Sequence, residues 1–373
     1  MSDEVVPAAR AAAGDALRTV ARAAVRRRYH PRVRQPTLRD VATAAGVHAA
    51  TASRALNPET RRLVNADTAE RVMREAARLG YKPNPIARSL KTARSATVGL
   101  VIPDLTNPLF PPIVRGIEDV LGPAGYNAWI VNTDNDPERK QAVVESLRSR
   151  QVEGLIVATA RLEHPLLQTL REQGVRMVLV NRRLGDGSIP SVTADDATGI
   201  AMAVAHLVEL GHRRIAHLAG PQDTSTGLVR ERAFLQALRD HGLEADPALV
   251  AACDYWTETE GARAFRALLD AATPFTAVIA GNDLLALGCY DVFAERSISC
   301  PEDISVVGFN DMPFLDKLRP PLTTVRVPHY EVGAESARLL LETLQDPERR
   351  PSSLLLPLTL VVRQSTGPLQ STT

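Results

Sequence analysis

Cysteine is scarce in this chain, with three in 373 residues: Cys253, Cys289 and Cys300. They lie far apart and lack the paired spacing of metal ligands. That argues against a disulfide framework or a cysteine-built metal site, and they read as buried thiols in a reducing compartment. Long apolar runs are missing too, and none reaches the ~18 residues that a membrane span requires. Arginines interrupt every hydrophobic stretch of the Ala- and Arg-rich first 35 residues, so these do not read as a signal peptide. The segment reads as an unstructured basic arm, or as an extension from an upstream start codon. Signatures of enzymes are absent as well: no phosphate loop, no Gly-x-Gly-x-x-Gly, no His-Glu-x-x-His and no nucleophile elbow. His212 and His217 read as loop and core residues rather than catalytic bases. The expectation is a cytoplasmic protein that is not an enzyme and uses no cofactor or metal.

What is present is a strong charge division beneath a net charge of +1. Residues 1–97 hold 19 Lys and Arg against 8 Asp and Glu, a net +11, and the remainder holds 25 against 35, a net −10. A basic head on an acidic body suits one part that meets phosphate and another that does not. At this length the chain has room for two or three domains.

The head carries the most specific pattern. In Thr37-Leu-Arg-Asp-Val-Ala-Thr-Ala-Ala-Gly46, Thr37 caps a helix and Asp40 answers it three residues later. Leu38, Val41, Ala42 and Ala45 share one face, and Gly46 supplies the left-handed stop. A second helix from about Ala49 to Leu56 turns Ala52 and Leu56 inward and leaves Thr51, Ser53 and Arg54 outward. This spacing predicts a helix-turn-helix, whose second helix reads the DNA major groove; the alternative is an ordinary helical hairpin. A third helix starts near Asn65, buries Val72, Met73, Ala76 and Leu79, and stops at Gly80. Then comes Tyr81-Lys-Pro-Asn-Pro-Ile-Ala-Arg-Ser-Leu-Lys91, where Asn84 and Pro85 begin a helix too short to stand alone, since isolated helices need ~12–15 residues.

With these motifs the chain resembles the lactose-repressor (LacI/GalR) family of bacterial transcription regulators, from Thr37 to about Arg363. The resemblance implies that Thr37, His48, Ala49, Ala50, Thr51, Ser53, Arg54 and Asn57 face DNA. It implies also that a hinge helix bearing Ile86, Ala87, Leu90 and Lys91 folds on the operator, with Leu90 wedged between base steps of the minor groove. A plain linker is the other reading of that segment. His48, Ala49 and Ala50 depart from the serine, bulky and polar residues usual there, and histidine is the poorer cap. Two alanines offer only methyl contact, so specificity leans on Thr51, Ser53, Arg54, the hinge or DNA shape. Arg61 and Arg62 add candidate phosphate contacts.

From Thr97 onward, short apolar runs alternate with amphipathic helices. Val98–Ile102, Ala128–Val131, Gly154–Val157, Met177–Val180, Ile215–Leu218, Ala277–Ala280 and Ile304–Gly308 read as strands. Such alternation argues for parallel sheets with helices on both faces, in two doubly wound subdomains. Polar residues end these runs, where ligands of open α/β sheets bind. The fold class expected is therefore α/β: a three-helix helix-turn-helix domain with a hinge helix, then a periplasmic-binding-protein-like core. The boundaries expected are an arm 1–35, a DNA-binding domain 36–82, a hinge and linker 83–95 and an effector-binding, dimerising core 96–373. Within the core, one subdomain takes about 96–194 with 327–355 and the other about 195–326 with 356–363, joined by three crossovers that the resemblance implies.

The resemblance assigns the effector to Asp104, Phe110, Asn181, Thr226, Arg230, Trp256, Asn282 and Asn310. Arg and Asn bridge neighbouring hydroxyls, and an aromatic face covers a sugar ring. Each also has a plainer reading: Phe110 as core, Arg230 as a surface ion pair, Asn282 as a helix cap. Asn310 stands where many relatives have aspartate and Val327 where glutamine is frequent. The function expected is a homodimeric repressor of a near-palindromic operator in double-stranded DNA, controlled by a small sugar-like effector and making no membrane contact. About ten residues follow Arg363 without leucine heptads, which favours a dimer over a tetramer. The alternative is a sugar-binding carrier of a transport system.

Overall fold

The computed structural model describes residues 36–58, 60–82, 95–134, 136–346 and 351–369. They belong to two compact units, one within residues 1–90 and one within 91–373.

The small unit packs three helices, α1 (Leu38–Ala44), α2 (Ala49–Leu56) and α3 (Ala66–Leu79). At the start of α1 the Asp40 amide donates to Thr37 Oγ1 at 3.3 Å and the Thr37 amide to the Asp40 carboxylate at 2.7 Å. Two otherwise orphaned donors are thus satisfied. Gly46 turns the chain at φ +63° and Gly80 ends α3 at φ +65°, a conformation that costs only glycine nothing. His48 proves an adequate cap, since its Nδ1 accepts from the Ala50 amide at 3.3 Å. Arg71 Nε reaches from α3 to the Ala45 carbonyl at 3.0 Å and closes the end of α1. The core is small and alanine-rich: Val41, Ala42, Ala45, Ala52, Ala55, Ala69, Val72 and Ala76. Ala55, rather than Leu56, joins Ala52 in it, and Leu56 is half-buried at its edge. Short side chains let the three helices approach closely, and the larger leucine covers the seam instead of filling it.

The large unit alternates strand and helix: β1 (Thr97–Ile102), α4 (Phe110–Leu121), β2 (Asn127–Asn132), α5 (Pro137–Ser149), β3 (Gly154–Val157), α6 (Pro165–Glu172), β4 (Met177–Val180) and β5 (Ser191–Ala194). It continues with α7 (Asp196–Glu209), β6 (Ile215–Ala219), α8 (Ser225–Asp240), β7 (Val250–Ala252), α9 (Glu258–Asp270), β8 (Ala277–Ala280), α10 (Asp283–Arg296), β9 (Ser305–Asn310) and β10 (Thr323–Arg326). Last come α11 (His329–Gln345), β11 (Ser353–Leu356) and β12 (Thr359–Val361). Two six-stranded sheets result, ordered β11-β5-β4-β3-β1-β2 and β12-β10-β9-β8-β6-β7. Every pairing is parallel except that of β10 with β12. The chain leaves the first sheet after β5, returns to it after β10 and leaves again after β11. Strand order reverses between β1 and β3 in one sheet and between β6 and β8 in the other, which opens a crevice beyond the strand ends of each.

Burial explains the sheets. Leu100, Ile102, Ile156, Val178, Val180 and Val192 are enclosed in the first, and Ile279, Val307 and Phe309 in the second. Helices α4 and α11 cross where neither tolerates a side chain. A Cβ on Gly116 would overlap the Tyr330 carbonyl oxygen, and one on Gly333 the Ile113 carbonyl oxygen. Asp283, fully buried at the start of α10, accepts from the Thr324 hydroxyl at 2.6 Å and the Met312 amide at 2.9 Å, tying the helix to the ends of β9 and β10. Cys253 and Cys289 are buried as expected, but Cys300 is only half-buried. Among the described residues, no helix is long and apolar enough to cross a membrane.

Gly333→Ala is expected to destabilise the large unit by about 1–3 kcal/mol through overpacking, read as a lowered urea midpoint. An unchanged midpoint would show that the helices separate freely. Burial pushes the Asp283 carboxyl up to about 6, against the pull of its Thr324 and Met312 hydrogen bonds. The unfolded group titrates near ~3.9. Its contribution to stability is therefore full below about pH 4 and is lost as the pH rises through about 6. A carboxyl-carbon NMR titration of Asp283 should show a midpoint near that upper value; a midpoint of an ordinary aspartate would refute the burial argument.

Candidate functional site

On the small unit, Thr37, His48, Ala50 and Arg54 are exposed, while Ala49, Thr51, Ser53 and Asn57 are half-buried. Helix α2 thus presents two methyls, two hydroxyls and one guanidinium along its open face. Arg61 is less free than its sequence suggests. Its Nε donates to the Ala55 carbonyl at 3.0 Å, and the Thr60 hydroxyl donates to the Arg54 carbonyl at 3.1 Å, so both cap the end of α2. Arg62 is exposed. Ile86, Ala87, Leu90 and Lys91 lie outside the described residues, as does the arm 1–35.

On the large unit, the strand ends of the two sheets face a cleft of about 380 Å³. It brings together all eight expected residues: Asp104 and Phe110 after β1, Asn181 after β4, Thr226 and Arg230 on α8, Trp256 after β7, Asn282 after β8 and Asn310 at the end of β9. Several form a rigid frame. The indole of Trp256 lies over the backbone of Gly220 and Gly281; an added Cβ at Gly220 would collide with the ring, and one at Gly281 would crowd it and collide with the Leu218 carbonyl oxygen. Asn282 Oδ1 caps α10 by accepting from the Leu285 amide at 2.8 Å, so capping and cleft lining coincide. Phe110 is likewise both core and lining, being 3% exposed. Asp104 is half-spent on Thr106, whose amide and hydroxyl donate to its Oδ1 at 2.8 and 2.7 Å.

Arg230 is no surface ion pair. It is 3% exposed, with Nε and Nη2 on Asp196 Oδ1 at 2.9 and 2.7 Å and Nη1 on the Gly281 carbonyl at 2.6 Å. Its guanidinium carbon stands 3.7 Å from the Phe309 ring centroid and 5.7 Å from that of Trp256. Asp196, the first residue of α7, gave no signal in the sequence beyond a helix-starting acid. Asn310 holds φ +124°, and its Oδ1 is buried without a partner among the described residues. Arg161 and Asp223 pair at 2.8 Å across the rim, where the Leu162 amide also donates to the Asp223 carbonyl at 2.8 Å. Arg182, also unexpected, is buried against the cleft, and the loss of solvent pulls its guanidinium down to about 10. His212 and His217 are buried structural groups. His212 Nδ1 contacts the Thr276 hydroxyl at 2.8 Å and His217 Nδ1 the Ile279 carbonyl at 2.8 Å.

This pairing of a helix-turn-helix with a two-sheet cleft has close relatives. Residues 37–84 match the model of bacterial regulatory proteins of the lacI family, and residues 204–366 that of a periplasmic binding protein-like domain. The HTH-type transcriptional repressor CytR of Escherichia coli strain K12 is 34% identical over 336 residues, 89% of this chain and 97% of that one. A solved complex of the transcriptional regulator CelR with cellobiose is 34% identical, with a TM-score of 0.69 over 88% of this chain and 99% of that one. The lac repressor dimer bound to operator and the anti-inducer ONPF is 27% identical, with a TM-score of 0.79 over 90% and 100%. The carrier alternative finds no support among them. With a DNA-reading fold, a ligand cleft and relatives matched almost end to end, the chain belongs to the lacI family of bacterial regulatory proteins, which bind DNA and are not enzymes.

Proposed function

We propose that this regulator is a cytoplasmic, homodimeric repressor that grips a near-palindromic operator and releases or tightens it when a sugar-like effector occupies the cleft. The observation that carries the reading is the convergence of polar strand ends on one cleft in a chain headed by a helix-turn-helix. The bound cellobiose of one relative and the operator complex of another support the two halves of the reading. Thr37, His48, Ala49, Ala50, Thr51, Ser53, Arg54 and Asn57 meet one half-site, and two-fold symmetry supplies the other. Methyl contacts from Ala49 and Ala50 read little by themselves, so Arg54 and the hinge residues Ile86, Ala87, Leu90 and Lys91 bear much of the discrimination. Effector occupancy shifts the equilibrium between two arrangements of the core, and a coupling of ~1–3 kcal/mol changes DNA affinity about 5- to 150-fold.

The test begins with duplexes selected from a random pool by the purified chain, followed by fluorescence anisotropy. With 6–10 phosphate contacts, affinity is expected to fall roughly 10³- to 10⁵-fold between 50 and 200 mM salt. Leu90→Ala should weaken the selected duplex by a few kcal/mol at most while sparing effector binding. Salt-indifferent binding would remove the phosphate contacts, and an unaltered Leu90→Ala affinity would remove the wedge.

The buried setting of Arg230 changes what its removal tests. Arg230→Ala strands Asp196 without a partner and should cost about 3–5 kcal/mol of core stability, read by denaturant titration. Trp256, half-buried, is the cleaner probe. Trp256→Ala should abolish the effector response and leave operator affinity unchanged. A variant that still responds normally would move the ligand out of this cleft.

A further inference from the structure

A cation that forms no ion pair among the described residues stands in the cleft. Arg182 is 9% exposed, lines the cleft, and has its Nε buried with no acceptor among the described residues. An unanswered N–H on a buried charge is costlier than one on a neutral group, so a partner from outside the chain is called for. The carboxylate that bears on its charge is Asp223, which already pairs with Arg161 at 2.8 Å. The other inner cation, Arg230, is neutralised by Asp196. At the ends of β4, β8 and β9, where acids would balance Arg182, the cleft has the neutral Asn181, Asn282 and Asn310. Asp104 and Asp254 also line the cleft as charged carboxylates, Asp104 while accepting from Thr106 and Asp254 on the exposed rim, but neither pairs with Arg182 among the described residues.

We propose that the effector is a hydroxylated ring bearing an anionic group, a phosphate or a carboxylate, which Arg182 receives. The inference rests on the effector reading above and names the chemistry of its ligand. A hydroxyl satisfies an N–H but leaves the charge unbalanced, whereas a phosphate or carboxylate supplies charge and a pair of oxygens that fits the guanidinium fork. The ring end is provided for separately. Asn310 Oδ1, buried and unpaired among the described residues, accepts from a hydroxyl, and the Trp256 face covers the C–H surface.

The test is calorimetry and thermal shift on the full chain with a panel of hexoses and pentoses, their phosphates and their uronates. A phosphorylated or uronate probe is expected to bind at least tenfold more tightly than its neutral parent, and the arm that responds identifies the anion. Arg182→Met should weaken that probe roughly 10- to 100-fold, the scale of a hydrogen bond to a charged group. Its melting point without ligand should hold or rise, because an unbalanced buried charge is gone. Asn181→Asp, which puts a carboxylate into the same cleft, should weaken the anionic probe more than its neutral parent. A neutral sugar that binds as tightly as its anionic forms and ignores Arg182→Met would overturn the inference while leaving the effector reading intact. A melting point several degrees lower in unliganded Arg182→Met would make Arg182 a structural residue and also overturn it. If no sugar-like probe of any charge shifted the melting point, both the inference and the effector reading beneath it would fall.

Discussion

Arg230 reaches from α8 into the seam where α7, β8 and β9 meet, and its guanidinium ties them at one point. Asp196 supplies charge, the Gly281 carbonyl supplies a second acceptor, and the guanidinium carbon stands over the Phe309 ring. Burying such a pair gains little stability against well-packed apolar residues. It gains direction instead, because a planar fork with three fixed hydrogen bonds admits one arrangement of its neighbours. Trp256 then has a defined wall to lie against, and the glycines at 220 and 281 leave room for its ring. The shape of the cleft follows from that one buried cation and the side chains it aligns.

The location of the cleft follows from topology. Each sheet reverses its strand order beside its first strand, so the loops after β1 and β3, and after β6 and β8, diverge to opposite faces and leave a crevice. Two such crevices facing each other make one site from residues distant in sequence. Asp104 and Asn310 share it although more than half the chain separates them. Rim contacts between the sheets, such as Arg161 with Asp223, are exposed and individually weak. Weak rim contacts around a rigid floor suit a cleft whose closure a ligand can bias.

The sequence was most legible where the signal is local. An apolar run that ends in a polar residue marks both a strand and the lip of a site, and that pattern located seven strands; the eight cleft residues came from the resemblance, and the structure brings them together. The short strands β5, β7, β10, β11 and β12 escaped because three or four residues, several of them Ser or Thr, show no decisive periodicity. Ala55 and Leu56 exchanged places because hydrophobicity alone does not say which neighbour fits a close helix contact. Arg182 stands beside Arg183 in the sequence, and no spacing rule tells which of two adjacent arginines turns inward. Asp196 was invisible for the same reason: its partner is Arg230, and that contact exists only once two helices have packed.

The two units divide the work unequally. In the DNA-reading role proposed for α2, alanines at 49 and 50 offer no hydrogen bond to a base, and Arg61 spends its Nε on capping the helix. Affinity in such a head comes chiefly from charge, which is sequence-blind, so the net +11 of residues 1–97 brings DNA close without choosing it. Choice must then come from deforming the duplex, whose cost depends on the steps deformed, and from holding two heads at one fixed spacing. In the dimer proposed above, both depend on the geometry of the pair more than on any single side chain. On that proposal, specificity lies in the spacing that the core imposes, and small changes in the core alter it.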